Sequence, residues 1–118
     1  MINCIIVDDE PLAVQLLQSY AEKIDYITVL KTFSNPIHAL SYIQKNQVDL
    51  IFLDIQMPEI TGIQLARLLP KGSKIIFTTA YSDFALDGFE VNASDYLVKP
   101  ISFEQFISDD RSVIVDKL

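Results

Sequence analysis

Residues Val48–Gly62 read VDLIFLDIQMPEITG. An apolar run, Leu50 to Leu53, stops on a carboxylate, Asp54. Met57-Pro58 marks a short loop, and Thr61-Gly62 opens a new helical pattern. A short apolar run bounded by turn signals is the pattern of a strand buried on both faces of a parallel sheet. Strands of that kind present ligand-handling groups at their carboxyl ends. Asp54 therefore stands where such a fold does chemistry.

Outward from this stretch the same alternation repeats. Ile2–Val7 is an apolar, β-branched run ending at Asp8-Asp9-Glu10, and Pro11 opens a helix, where its missing N–H costs nothing. Leu12, Leu16, Tyr20 and Ile24, with Ala13 and Leu17, predict one apolar stripe on that helix. Tyr26–Phe33 is β-branched but mixed in polarity, as suits an edge strand. Ser34-Asn35-Pro36 starts a second helix that ends near Asn46, with Ile37, Leu40 and Ile43 as its buried face. After the central strand come a helix over Ile60–Leu69, a break at Pro70-Lys71-Gly72, and a strand over Lys74–Thr78 that ends at Thr79-Ala80. Ser82-Asp83 caps a short fourth helix, Phe84–Glu90. A last strand lies within Ala93–Val98 and ends at Lys99-Pro100; Ser102 then caps a fifth helix, with Phe103, Phe106 and Ile107 toward the core. Five βα units predict an α/β domain, a three-layer sandwich with helices on both faces of a parallel five-stranded sheet. The flavodoxin-like order 2-1-3-4-5 is the commonest solution.

Composition narrows the function classes. The 118 residues suffice for one domain. Half are apolar, which argues for a packed core rather than disorder. A net charge of −7 speaks against this segment binding nucleic acid, since phosphate contact needs a basic surface. The single cysteine, Cys4, sits in an apolar run and is expected to be a buried, inert thiol. MINCIIVDDE lacks the basic and apolar regions of a leader, and no run nears the roughly 20 residues of a membrane span. A cytoplasmic protein is the simplest expectation.

The predicted strand order gives the acids a physical relation. Strand 1 ends at Asp8-Asp9 and strand 3 at Asp54, and these strands neighbour each other at the topological switch point. Three carboxylates, with Glu10 behind them, repel one another unless a cation offsets them. Mg²⁺, a hard ion that binds through one or two carboxylates and keeps waters and phosphate oxygens, fits that need. Strand 4 brings the Thr79 hydroxyl and strand 5 the Lys99 ammonium to the same edge. A carboxylate flanked by a metal site, a hydroxyl and a fixed positive charge is equipped to hold a phosphoryl group, whose transfer depends on positioning and charge neutralisation. Taken singly, each group has a plainer reading: Asp8 or Asp9 as a helix cap, Asp54 as the cap of a turn, Thr79 as structural, Lys99 as solvated. Four strand ends converging on one place outweigh those readings.

These residues resemble the receiver domain of two-component response regulators. The likeness spans essentially the whole chain: Asp8-Asp9, Asp54 in LDIQMPEITG, Thr79-Ala80, Tyr96 in DYLVKP, and Lys99-Pro100. It implies that residues 1–118 form a phosphoacceptor signalling domain rather than a turnover enzyme, with Asp54 taking a phosphoryl group from a sensor histidine kinase. It implies Mg²⁺ held by the Asp9 and Asp54 side chains and the Gln56 backbone carbonyl, with Asp8 acting through water. Thr79 and Lys99 would contact phosphoryl oxygens, and Lys99-Pro100 would be a cis peptide. Switching would couple Thr79 to Tyr96 and bias the surface of helix 4, strand 5 and helix 5, where a partner or a second copy docks. By the same resemblance Gln56 and Tyr81 would modulate the lifetime of the acyl phosphate, Tyr81 by shielding it from water; a half-life that fails to shorten in Tyr81→Ala counts against this.

The run Phe77–Ile101 looks more specifically like receivers that precede LytTR-type DNA-binding domains. The chain is then either a piece of a longer transcription factor, with an output domain after Leu118, or a stand-alone receiver. Other classes fit less well. A phosphatase resembling the haloacid dehalogenase group would need Asp8 paired with Glu10, and Pro11 stands without the threonine that group shows. A flavodoxin needs a Gly-, Ser- or Thr-rich phosphate loop after strand 1, where acids stand here. A degenerate receiver is contradicted by the complete set of Asp8, Asp9, Asp54, Thr79 and Lys99.

Overall fold

A computed structural model of the chain describes residues 1–57, 59–70, 72–80 and 95–108. The elements are β1 (Ile2–Val7), α1 (Pro11–Glu22), β2 (Ile27–Phe33), α2 (Pro36–Lys45), β3 (Leu50–Asp54), α3 (Gly62–Leu68), β4 (Lys74–Thr79) and β5 (Asp95–Val98). Residues 103–108 are helical. The predicted helix Phe84–Glu90, Tyr81 and the tail from Asp109 lie outside the described residues.

All five strands are parallel, in the order β2-β1-β3-β4-β5. This is the flavodoxin-like order expected from the sequence. Because side chains alternate across a strand, the sheet feeds two cores. Cys4 and Ile6, Leu50 and Phe52, and Ile76 pack with Leu17 and Ala21 of α1, with Ile24 just beyond that helix, and with Phe106. Ile5 and Val7, Ile51 and Leu53, and Ile75 and Phe77 pack with Ala39 and Ile43 of α2 and Leu65 of α3. Every residue of β3 is buried, which accounts for its unbroken apolar run. The Phe106 ring stacks on Phe52 with centroids 5.2 Å apart and fixes the C-terminal helical segment to the centre of the sheet. Cys4 is fully buried.

β2 is an edge strand, and its register against β1 slips. Cys4 pairs with Val29 but Ile5 with Lys31, so Leu30 drops out of the ladder. This is a β-bulge.

Two helix faces differ from expectation. Leu12 is 78% exposed and Ile37 48%; neither belongs to a core. A strict i, i+4 series advances about 40° per step round a helix of 3.6 residues per turn. Leu12 consequently sits about 140° from Leu17, the residue that centres the buried face. In α2 the buried positions are Pro36, Ala39 and Ile43, and small Ala39 lets the helix lie close to the sheet.

The caps follow local chemistry. The Asn35 side chain accepts from the Ile37 and His38 N–H groups, and Ser102 and Gln105 bond reciprocally. Thr61 and Gln64 form a capping box at the start of α3, which begins at Gly62 rather than Ile60. Among the described residues no helix is long and apolar enough to cross a membrane.

Candidate functional site

The carboxyl ends of β1, β3 and β4 and the loop after β5 meet at one edge of the sheet. Asp8, one residue past β1, is tied to β2 by its own N–H, which donates to the Phe33 carbonyl at 3.0 Å. Asp54 is the last residue of β3, and the next N–H, that of Ile55, donates to the Thr78 carbonyl at 3.0 Å. Lys99 is held at its backbone by its N–H, which donates to the Thr79 carbonyl at 2.7 Å. The Tyr20 hydroxyl of α1 donates to the Ile101 carbonyl at 2.7 Å and fixes the loop beyond. The Lys99–Pro100 peptide bond is cis.

Asp8 and Asp54 are almost fully buried, at 1% and 3% exposure. Lys99 Nζ enters between them, 3.0 Å from Asp8 Oδ2 and 3.6 Å from Asp54 Oδ1, and its shortest contact is Glu10 Oε1 at 2.6 Å. Asp8 Oδ1 accepts from the Glu10 N–H at 2.9 Å, and Asp54 Oδ1 from the Gln56 N–H at 3.3 Å. One oxygen from each of Asp8, Glu10 and Asp54 lies within 4.8 Å of the others. Asp9 is exposed, beside a cleft of about 330 Å³ that Asp8, Thr32 and Ser34 also line. Thr79 is buried at the end of β4 and registers with Val98. Half-buried Tyr96 registers with Phe77, their rings 5.4 Å apart, so it lies on the same face of the sheet as Thr79, one pleat back.

The sequence places Asp8, Asp9, Asp54, Thr79 and Lys99 at one edge; the structure brings Asp8, Asp54, Thr79 and Lys99 there, while Asp9 is exposed and stands outside the cluster of buried acids. What the sequence reading missed is the role of Glu10, which it set behind the acids. In the structure Glu10 is the nearest partner of Lys99. The signal was weak, because a glutamate at a helix start ordinarily reads as a favourable charge for the dipole.

The electrostatics are those of crowded acids. Burial first, and then the Asp8 charge, push the Asp54 carboxyl up from 3.8 to about 7; Lys99 and the Gln56 N–H oppose this. Burial acts to lower the Lys99 ammonium, but the Glu10 and Asp8 carboxylates it contacts and the Asp54 charge outweigh this and raise the group from its usual 10.5. A carboxyl raised on folding makes the folded chain bind more protons than the unfolded chain between those two values. Stability of the metal-free protein is therefore expected to fall as pH rises from about 4 to about 7, and to level off above. The displacement corresponds to at most about 4 kcal/mol. Urea titrations in EDTA at pH 5 and pH 8 check this; a protein no less stable at pH 8 contradicts it.

The donor set suits a hard divalent cation. The buried Asp8 and Asp54 carboxylates offer hard oxygen donors, and Asp8 Oδ2 has no well-aligned hydrogen-bond donor among the described residues, Lys99 being its ion-pair partner.

Comparison with known proteins agrees with this geometry. Residues 4–109 match the response regulator receiver domain, and the chain belongs to that family, the receiver module of two-component signalling. It is 44% identical over 108 residues to an uncharacterized response regulatory protein of Shewanella oneidensis, covering 89% of this chain and 45% of that one. It is 39% identical over 103 residues to the transcriptional regulatory protein BtsR of Escherichia coli K12, covering 86% and 43%. The chain thus spans less than half the length of these relatives. Among solved structures, the response regulatory domain of mrkE from Klebsiella pneumoniae superposes with a TM-score of 0.89 at 31% identity, covering 98% and 97% of the two chains. The response regulator TrrA of Thermotoga maritima, solved in complex with Mg²⁺ and BeF, gives 0.84 at 32% identity over 96% and 99%.

Proposed function

We propose that Asp54 is the phosphoryl acceptor of this receiver. The observation that carries the reading is the burial of Asp8 and Asp54 at adjacent strand ends, with Lys99 Nζ within 3.0 Å and 3.6 Å of them. An Asp54 oxygen attacks the phosphorus of a phosphohistidine on a sensor kinase. The P–O bond forms as the P–N bond breaks, and the freed imidazole takes a proton. Lys99 and the Thr79 hydroxyl hold the phosphoryl oxygens, and the buried strand ends keep bulk water from the new acyl phosphate. Asp54, Asp9 and the Gln56 carbonyl would ligate Mg²⁺, with Asp8 acting through water. When bound, the ion neutralises charge on the acids and on the transferring group.

Phosphorylation adds roughly −1.5 to −2 charge and three acceptor oxygens. Drawing the Thr79 hydroxyl toward that group opens space on the face it shares with Tyr96, and the ring can turn into it. This biases helix 4, strand 5 and helix 5, the surface on which a second copy would dock. The relatives are about twice as long, and BtsR is a transcriptional regulator. With the Phe77–Ile101 run, this supports a receiver that controls a LytTR-type DNA-binding output and works in the cytoplasm. A full-length protein whose DNA affinity ignores beryllofluoride would remove the output part of this reading.

The test is to incubate the chain with acetyl phosphate and Mg²⁺. A single-phosphate mass increment, lost with EDTA, is expected; an unlabelled or metal-indifferent chain overturns the reading. Sedimentation of the same samples with and without beryllofluoride tests the dimer, which an unchanged monomer excludes.

A further inference from the structure

Glu10 occupies the N-cap position of α1, with extended backbone angles of φ −95° and ψ 111°, yet its side chain makes no capping hydrogen bond. Glutamate is not among the favoured capping residues, and this carboxylate is directed elsewhere. It reaches Lys99 Nζ at 2.6 Å, nearer than Asp8 at 3.0 Å or Asp54 at 3.6 Å. The Glu10 backbone is held in turn by Asp8 Oδ1. The Lys99 stem is confined, since its backbone is hydrogen-bonded to Thr79 and its side chain is only 15% exposed. The ammonium therefore has a short list of positions, and the shortest contact is with the one carboxylate of the three that is open to solvent, at 62% exposure.

We infer that Glu10 is a latch on Lys99, a positioning residue that engages the ammonium until a phosphoryl group competes for it. This rests on the phosphoacceptor reading above. An incoming phosphoryl group must draw Lys99 off Glu10, so part of the attraction between Lys99 and the phosphoryl oxygens is offset by the lost ion pair. A pair with one solvent-exposed member is a weak one, and its release changes anion affinity by about two- to fivefold. A latch of that strength sets the threshold for modification without blocking it.

The experiment measures Mg²⁺-dependent beryllofluoride affinity, by calorimetry or NMR titration, for the parent chain, Glu10→Gln and Glu10→Asp. Both variants are expected to bind about two- to fivefold more tightly than the parent. Glu10→Asp keeps the charge, but its shorter side chain at an N-cap turns onto the N–H groups of α1 and leaves Lys99. Tighter binding by Glu10→Gln alone would make the effect one of net charge and overturn the latch. No gain in either variant would do the same. Mg²⁺ affinity, measured without beryllofluoride, is expected to stay within about threefold of the parent in Glu10→Gln; a loss of tenfold or more, the scale of a lost metal-site group, makes Glu10 part of the metal site instead. A parent chain that takes up no beryllofluoride at all defeats the phosphoacceptor reading rather than the latch.

Discussion

Asp54→Asn is expected to abolish Mg²⁺-dependent labelling by acetyl phosphate and, in the same preparation, to raise the stability of the metal-free protein at pH 8. Asparagine keeps the volume of the side chain but supplies no carboxylate nucleophile, so no acyl phosphate forms. It also removes a buried charge that burial and Asp8 disfavour. The gain at pH 8 is bounded at about 4 kcal/mol by the displacement of the Asp54 pKa, which already includes the opposing attraction of Lys99. The variant should also flatten the fall in stability between pH 5 and pH 8. Intact mass after incubation and urea titration in EDTA read the two outcomes separately. A variant that labels like the parent defeats the acceptor assignment; one that labels poorly and is less stable at pH 8 defeats the electrostatic account alone.

Gly62→Ala is expected to cost about 3 kcal/mol or more and to depress labelling sharply. A Cβ on Gly62 would stand 2.2 Å from the Asp54 carbonyl oxygen, 2.9 Å from its carbon and 2.9 Å from Ile55 Cα. All three are backbone atoms, so no rotamer change relieves the overlap, and overpacking of this kind reaches the upper end of the usual range of about 1–3 kcal/mol or passes it. The Gly62 N–H donates to the Ile55 carbonyl at 2.8 Å, so the helix start and the loop after Asp54 must move together. Gly72→Ala is the matched control. Its φ of +123° makes any side chain strained, but nothing lies within 4 Å, so a loss of stability with labelling retained is expected there. Gly62→Ala with parental stability and labelling would show that the loop after Asp54 adapts freely.

The site was legible in the sequence where its residues end buried strands. Asp54 closes the fully buried β3, Asp8 follows β1, and Thr79 and Lys99 stand at the ends of β4 and β5. Strand order then brings them together, and 2-1-3-4-5 is the commonest order for five βα units. Less legible was everything that depends on side-chain reach or on rotation about a helix axis. Leu12 and Ile37 are apolar at plausible spacing, but the orientation of each helix is set by the residues that fit closest to the sheet, Leu17 in α1 and Ala39 in α2. The Glu10–Lys99 contact spans 89 residues and depends on how far two long side chains extend. The capping box of α3 was in view as Thr61-x-x-Gln64 and marks the helix start more sharply than the apolar spacing does. The need for glycine at position 62 arises only once α3 is laid against the Asp54 backbone.

The slip at Leu30 bears on how this molecule can associate. An open edge strand is a template on which another chain can lay down a strand of its own, and a long flat edge invites aggregation. Here the ladder between β1 and β2 slips at Leu30, a bulge that bends the edge strand, and Lys31, whose ammonium lies 5.5 Å from the Phe33 ring centroid, follows at once. An arriving strand would meet a kink and a charge within two residues. The opposite edge, β5, offers four residues among those described. Sheet extension by an added strand is thus discouraged at both margins, which favours association through side chains, and these can tell one partner from another.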